Sequence, residues 1–317
     1  MRGRMGRIRR TPSGGPTAER GDTEMSVAEW REAYDGLGAL LPAVPGISVE
    51  PVDAGGVPAE WIGSGDGPVV VYVHGGGYCI GSLDSHRPML THLANAVGGR
   101  VLAVDYRLAP EHPFPAALDD ACAAYRWVLA GGTDPSRVVV AGDSAGGGLT
   151  LATLVGLRDV GDPLPAAGVC LSPWVDLTQS GATISANAEA DPLVRADDLD
   201  RWAAAYAGSA TDPGSPGSSP LFAELSGLPP LLVEVGTAEV LLDDARRLVE
   251  TARAADVDVT LFEGEDLIHV WHFFAGAVPE ADEGIARVAR FIGERAGGLT
   301  ARSEEPRPRG RGSTSDP

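Results

Sequence analysis

Between residues 138 and 148 the chain reads Val-Val-Val-Ala-Gly142-Asp143-Ser144-Ala145-Gly146-Gly147-Gly148: a Val-rich run that enters a Gly-x-Ser-x-Gly pentapeptide and then a stretch with helical spacing. The apolar run suits a strand buried on both faces, so Ser144 falls at a sharp strand-to-helix turn. A turn of that kind brings backbone segments close together, which accounts for glycine at 142 and 146 and leaves the serine Oγ exposed at the top of a sheet. The N–H groups of the first helical turn then favour negative charge developing beside it. The competing reading is a Gly-rich turn with an idle serine, and the strand-to-helix setting argues against it.

Further short Val- and Leu-rich runs at 69–73, 101–105, 168–171, 231–236 and 258–262 also suit strands hidden on both faces. Helical spacing at 116–130, 145–158, 241–255 and 280–296 alternates with them, which defines an α/β chain with a mostly parallel sheet flanked by helices. Extended pieces near 47–52 and 57–62 supply an antiparallel start. The alternation fails between about 180 and 225, where 186–190, a helical stretch at 196–207 and a Gly/Pro/Ser-rich segment replace the expected strand. With a helix over 26–41, this insertion is expected to form a small helical lid over the carboxyl ends of the strands, where open α/β sheets bind ligands. The reading therefore places one domain at 25–297, with lid elements near 25–45 and 180–215. Arg-, Pro- and Gly-rich tails at 1–24 and 298–317 are expected to be disordered. Met25 opens the first clean helical pattern and is a second candidate for the native start.

Two other segments carry chemistry. His74-Gly75-Gly76-Gly77-Tyr78 follows the 69–73 strand, and such a loop can aim backbone N–H groups at one point, as an oxyanion requires. The base that serves Ser144 should come late in the chain, after the last strand; His269 does, in Asp266-Leu-Ile-His269. His272 follows it but falls in the apolar stretch 271–274, which reads as the start of a packed helix, and His74 precedes the serine in a loop with another task. The acid that orients the imidazole should leave the 231–236 strand. Glu239 is nearest and is preferred; Asp243 and Asp244 are alternatives that also suit the first turn of the next helix, and Asp266 is a remote fourth.

Composition narrows the partners. Setting aside the six Arg and three acidic residues of 1–24, and the four Arg and three acidic residues of 298–317, turns the formal charge of −19 into −23 for residues 25–297. A surface so acidic repels nucleic acid and anionic membranes. All 25 cationic residues are arginine, which removes Schiff-base chemistry and any lysine-dependent phosphate loop. Cys79, Cys122 and Cys170 are too scattered for a disulfide framework or thiolate metal site and read as reduced, packed residues. No apolar run approaches the roughly 18 residues that span a bilayer or forms a secretory signal, so the expected compartment is the cytoplasm, without membrane insertion.

Four ordered motifs, His74-Gly-Gly-Gly-Tyr78, Asp105-Tyr-Arg-Leu-Ala-Pro-Glu111 with Pro113-Phe-Pro115, Gly142-Asp-Ser-Ala-Gly146 and Asp266-Leu-Ile-His269, make residues 45–296 resemble the bacterial hormone-sensitive-lipase-like esterases of the α/β-hydrolase superfamily. The resemblance implies an α/β-hydrolase fold in which Gly76, Gly77 and Ala145 supply oxyanion N–H groups, His74 organises their loop, and no cofactor or metal is used. Many relatives carry aspartate in an Asp-x-Leu pattern where this chain has Glu239-Val240-Leu241. Asp105-Tyr106-Arg107 reads as structural, its paired charges and aromatic ring bracing the sheet end. The expected function is serine ester hydrolysis of short- to medium-chain acyl esters by Ser144, His269 and Glu239. The rival readings are an amidase or peptidase of the same fold and a small-molecule receptor that has lost catalysis; the presence of serine, histidine and carboxylate disfavours the receptor. A homodimer through an edge strand is implied by the resemblance only.

Overall fold

The computed structural model describes residues 25–297, so the expected tails lie outside the described residues. The chain runs as α1 (Val27–Gly38), β1 (Val49–Asp53), β2 (Pro58–Ile62), β3 (Val69–Val73), α2 (Leu83–Val97), β4 (Arg100–Val104), α3 (Ala116–Ala130), β5 (Val138–Asp143), α4 (Ala145–Val160), β6 (Ala167–Leu171), α5 (Thr183–Ala186), α6 (Ala196–Ala207), β7 (Leu231–Gly236), α7 (Leu242–Ala254), β8 (Val259–Gly264) and α8 (Pro279–Ala296). The strands form one eight-stranded sheet in the order β1-β2-β4-β3-β5-β6-β7-β8. β1 and β2 pair antiparallel, as does β2 with β4, and every other neighbour is parallel.

Apolar side chains on alternate faces explain the layering. Val71, Val73, Val140 and Val233 pack against residues of α3, α4 and α7, whereas Val70, Tyr72, Val139 and Leu232 pack against Met89 and Leu93 of α2 and Ile285 and Ile292 of α8. β3, β5, β6 and β7 are buried at every position. β8 departs from the sequence expectation: as an edge strand it pairs only with β7, and most of its residues are only half-buried. Helix α2 went unnamed in the sequence because Pro88 and several polar residues interrupt its pattern. A Ser82/Ser85 capping box starts it and Gly98, in the left-handed region, ends it.

The segment between β6 and β7 is an inserted helical cap in which α6 occupies the expected residues, preceded by the short α5 and a turn at 187–190. The pairing expected within Asp105-Tyr106-Arg107 does not occur. Arg107 instead binds Asp120 of α3 through Nε and Nη2, and Tyr106 donates to the His74 carbonyl oxygen at 2.7 Å. Asp120 outcompetes Asp105 because its carboxylate accepts from both the backbone N–H and the guanidinium of Arg107. Cys79, Cys122 and Cys170 are buried free thiols. Among the described residues, no helix is long and apolar enough to cross a membrane.

Backbone segments approach closely where β5 turns into α4. A Cβ on Gly146 would lie 2.1 Å from the Val73 carbonyl oxygen and 2.6 Å from that of His74, and neither is a flexible side chain. Gly146→Ala is therefore expected to destabilise the fold by at least about 1–3 kcal/mol, the range for overpacking. Urea denaturation of wild type and variant measures this, and an unchanged midpoint would mean that the turn tolerates a side chain.

Candidate active site

β5 ends at Asp143, and Ser144 takes φ 52° and ψ −122° before α4 begins. This left-handed φ is strained for a residue with a side chain and persists only where the surroundings enforce it. Three hydrogen bonds do so. Ser144 N donates to Leu171 O at 2.8 Å, while Ser144 O accepts from Gly148 N at 3.1 Å and Trp174 N at 2.9 Å. Ala145 is the first residue of α4, where backbone N–H groups have no intrahelical acceptor.

The loops that leave β7 and β8 bring Glu239 and His269 together. Glu239 is fully buried, and its Oε2 lies 2.8 Å from His269 Nδ1. Its other oxygen accepts from Ser172 Oγ at 2.7 Å and Gly236 N at 2.6 Å. A carboxylate can only accept, so Nδ1 carries the proton and Nε2 is the basic nitrogen of the neutral ring. Burial alone would lower the His269 pKa, but the hydrogen bond and charge of Glu239, assisted by Asp191 and Asp143, raise it above the ordinary 6.5. The fold thus favours imidazolium. The resulting stability is complete below the unfolded pKa and disappears as pH rises through the folded one.

The glycine loop after β3 is tied to the elbow from below. Gly75 N donates to Asp143 Oδ1 at 3.1 Å, and Tyr72 Oη donates to the same oxygen at 2.8 Å. His86 Nε2 of α2 approaches both carboxylate oxygens, at 3.3 and 3.4 Å. Burial by itself would raise the Asp143 pKa; the facing His86, with Tyr72 and His74, holds it below its usual value. His74 stacks on Tyr106 with ring centroids 4.3 Å apart, and burial pushes its pKa down to about 3, so it stays neutral. Gly76 and Gly77 have φ of 113° and 59°, and among the described residues no protein acceptor takes either N–H.

Ser144, His269, Gly76 and Gly77 all line one cavity of about 260 Å³. Its walls are mostly apolar: Trp30 and Tyr34 from α1, Leu199 and Trp202 from α6, and Trp174, Phe273 and Phe274 from the loops. A larger cleft of about 690 Å³ lies among Glu50, Trp61, Arg100 and Arg137 and contains none of these candidates. It opens at the amino ends of the parallel strands, the end opposite the carboxyl-terminal one where open α/β sheets bind ligands. Among the described residues no cluster of His, Cys, Asp or Glu is suited to a metal ion.

Other candidates stand apart. Asp243 accepts from Ala182 N and Thr183 N, anchoring the cap at α5, and Asp244 accepts from Val175 N and Asp176 N with its pKa raised to about 7 by burial. The Asp266 backbone N–H donates to Thr237 Oγ1, and buried His272 pairs with Glu234 at 3.0 Å. Sequence reasoning did not find Ser172, which joins Glu239 to Val270 N, or Asp191, which accepts from Leu193 N, Val194 N and Val240 N and so ties cap to acid loop. Ser172 had one usable signal, its place just past a strand neighbouring β5. Asp191 had none.

A family model described as alpha/beta hydrolase fold matches residues 70–273. The chain is 46% identical over 264 residues to an acetyl-hydrolase of Streptomyces hygroscopicus, covering 83% of this chain and 86% of that protein. It is 35% identical over 263 residues to an esterase of Acinetobacter venetianus, covering 82% and 87%. The crystal structure of an esterase from the bacterial hormone-sensitive lipase family superposes with a TM-score of 0.84 at 50% identity, covering 86% of this chain and 93% of that one.

Removing the Glu239 charge should leave burial dominant at the imidazole. In Glu239→Gln the His269 pKa is therefore expected to fall below 6.5. Imidazole NMR titration measures it, and a pKa equal to that of the wild type would mean that Glu239 does not govern this histidine.

Proposed function

The chain belongs to the bacterial hormone-sensitive-lipase-like esterases of the α/β-hydrolase superfamily and is a carboxylic ester hydrolase, and on that premise we propose that Ser144 is its nucleophile, His269 its general base and Glu239 the acid that orients the base. One observation carries this reading: the buried Glu239–His269 hydrogen bond of 2.8 Å ends at a cavity that His269 shares with the strained serine. Nε2 takes the proton as Ser144 Oγ attacks the ester carbonyl carbon. Gly76, Gly77 and Ala145 N–H groups receive the resulting oxyanion, each such donor contributing about 2.7–4 kcal/mol in comparable sites. As the tetrahedral adduct collapses, the imidazolium protonates the departing alkoxide. Water, deprotonated by the same nitrogen, then attacks the acyl-enzyme and releases the carboxylic acid.

Because Nε2 acts as a base, turnover should increase as pH rises through the His269 pKa, opposite to the pair's contribution to stability. The substrates proposed are short- to medium-chain acyl esters. A small cavity roofed by Trp30 and Trp202, whose rings meet edge to face at 6.2 Å, supports that limit, as does the similar protein known as an acetyl-hydrolase. Placement in the cytoplasm rests on the sequence reading, and a homodimer rests on resemblance together with the exposed edge at β8.

With p-nitrophenyl esters from C2 to C16, activity is expected to peak at about C4 to C8, limited by the enclosed apolar pocket, and Ser144→Ala should lower kcat by about 10⁵–10⁶ without altering circular dichroism. A maximum at C16 with activation at an oil–water interface would overturn the chain-length limit. Turnover retained by a folded Ser144→Ala would remove the nucleophile assignment.

The acid candidates separate by kinetics. Glu239→Gln is expected to cost about 10⁴ in kcat, as in a serine protease triad whose acid became an amide. Asp243→Asn replaces the charged acceptor of Ala182 N and Thr183 N by a neutral amide oxygen and removes a helix-terminal charge worth about 0.3–1 kcal/mol, so it should lower melting temperature more than turnover. The reverse pattern would transfer the role to Asp243.

A further inference from the structure

Trp30, Tyr34 and Leu37, spaced four and three residues apart on α1, line the cavity. Shifted by one residue, Arg31, Asp35 and Gly38 lie along the adjacent side of the helix, and each meets the core. Arg31 Nε donates to Cys79 O at 2.8 Å and Nη2 to Ala109 O at 3.0 Å, while Nη1 and Nη2 reach Glu111 at 2.9 and 2.7 Å. Asp35 accepts from Ser82 Oγ, and Gly38 approaches the Ser85 backbone so closely that a Cβ would meet it at 2.6 Å.

The two carbonyls that Arg31 selects belong to one unit. Cys79 N and Ile80 N both donate to Gly76 O, at 3.0 and 2.9 Å, so Cys79 is part of the turn that sets Gly76 and Gly77. Ala109 N donates to Tyr78 O at 2.9 Å, which fastens the second carbonyl to the same turn. The Glu111 ion pair is at the rim, with side chains 30% and 54% exposed, and such pairs contribute little in water. The main-chain bonds carry the positional information, because a guanidinium is a rigid planar fork with fixed donor directions.

We propose that Arg31 is a positioning residue that seats the cavity-lining helix α1 and the 76–80 turn in a single register, coupling closure of the acyl-cavity wall to placement of the Gly76 and Gly77 N–H groups. The inference rests on the reading of those groups as oxyanion donors. When α1 is displaced, the Cys79 carbonyl loses its charged partner and the turn loses its link to the helix.

Amide hydrogen exchange and steady-state kinetics with p-nitrophenyl butyrate test this on the full chain carrying Arg31→Met, Arg31→Lys or Glu111→Gln. Arg31→Met is expected to speed exchange both in α1 and at residues 78–82, with α8 unchanged, and to lower kcat about 10- to 100-fold with a smaller change in KM, as misplacement of a catalytic group does. Arg31→Lys, which keeps the charge but lacks the fork, should be intermediate in both readouts, and it serves alone if Arg31→Met does not fold. Glu111→Gln should change kcat less than about fivefold. Faster exchange confined to α1, or a loss expressed wholly in KM, would overturn the coupling and leave Arg31 a fastening for the helix. If the wild type failed to turn over the ester, the proposed function would fall, and exchange at 78–82 would still decide whether Arg31 holds the turn.

Discussion

The rest of the site depends on the turn at Ser144, where a residue with a side chain is held at a φ of 52°. The strain is tolerable because the backbone there is enclosed on every side. Gly142 and Gly146 let the turn close on itself and on the Val73 carbonyl, while hydrogen bonds to Leu171, Gly148 and Trp174 fix its direction. Two strands flank this turn directly: β3 with the glycine loop on one side, β6 with Ser172 on the other.

Strand order then places the remaining groups. β7 lies next to β6 and β8 next to β7, so the loops bearing Glu239 and His269 emerge in sequence along one edge of the cavity. Buried carboxylates lock these loops together. Asp143 joins elbow to glycine loop, Glu239 joins the imidazole to Ser172 and Gly236, and Asp191 joins cap to acid loop. Each would be costly to bury unpaired, and each is stable because several donors converge on it. A carboxylate with several fixed donors is also directional, so the charges that govern His269 double as structural ties.

The cap adds a different constraint. α1 and α6 come from sequence positions more than 150 residues apart, yet Trp30 and Trp202 meet over the cavity. Trp202 also packs so tightly on the glycine loop that a Cβ at Gly77 would clash with its ring at 2.8 Å. The cap wall of the cavity and the glycine loop that also lines it are thus in direct contact.

By itself the sequence determined those features whose physical causes are local. A Val run followed by Gly142-Asp-Ser-Ala-Gly146 can be little other than a buried strand turning into a helix, and helical spacing at 196–207 marks the cap helix within an otherwise irregular insertion. Chain order singled out His269, and proximity to a strand end favoured Glu239 over Asp243. Only the tertiary structure decided what depends on partners distant in sequence. Arg107 chose Asp120 over its neighbour Asp105, β8 proved half-exposed because no strand covers its outer edge, and α2 formed around Pro88 because its apolar side packs on the sheet. Asp143–His86, Ser172–Glu239 and Asp191–Val240 join residues 49 to 67 positions apart. No local periodicity records such pairs, since a side chain's polar partner is fixed by which loops the sheet order brings together.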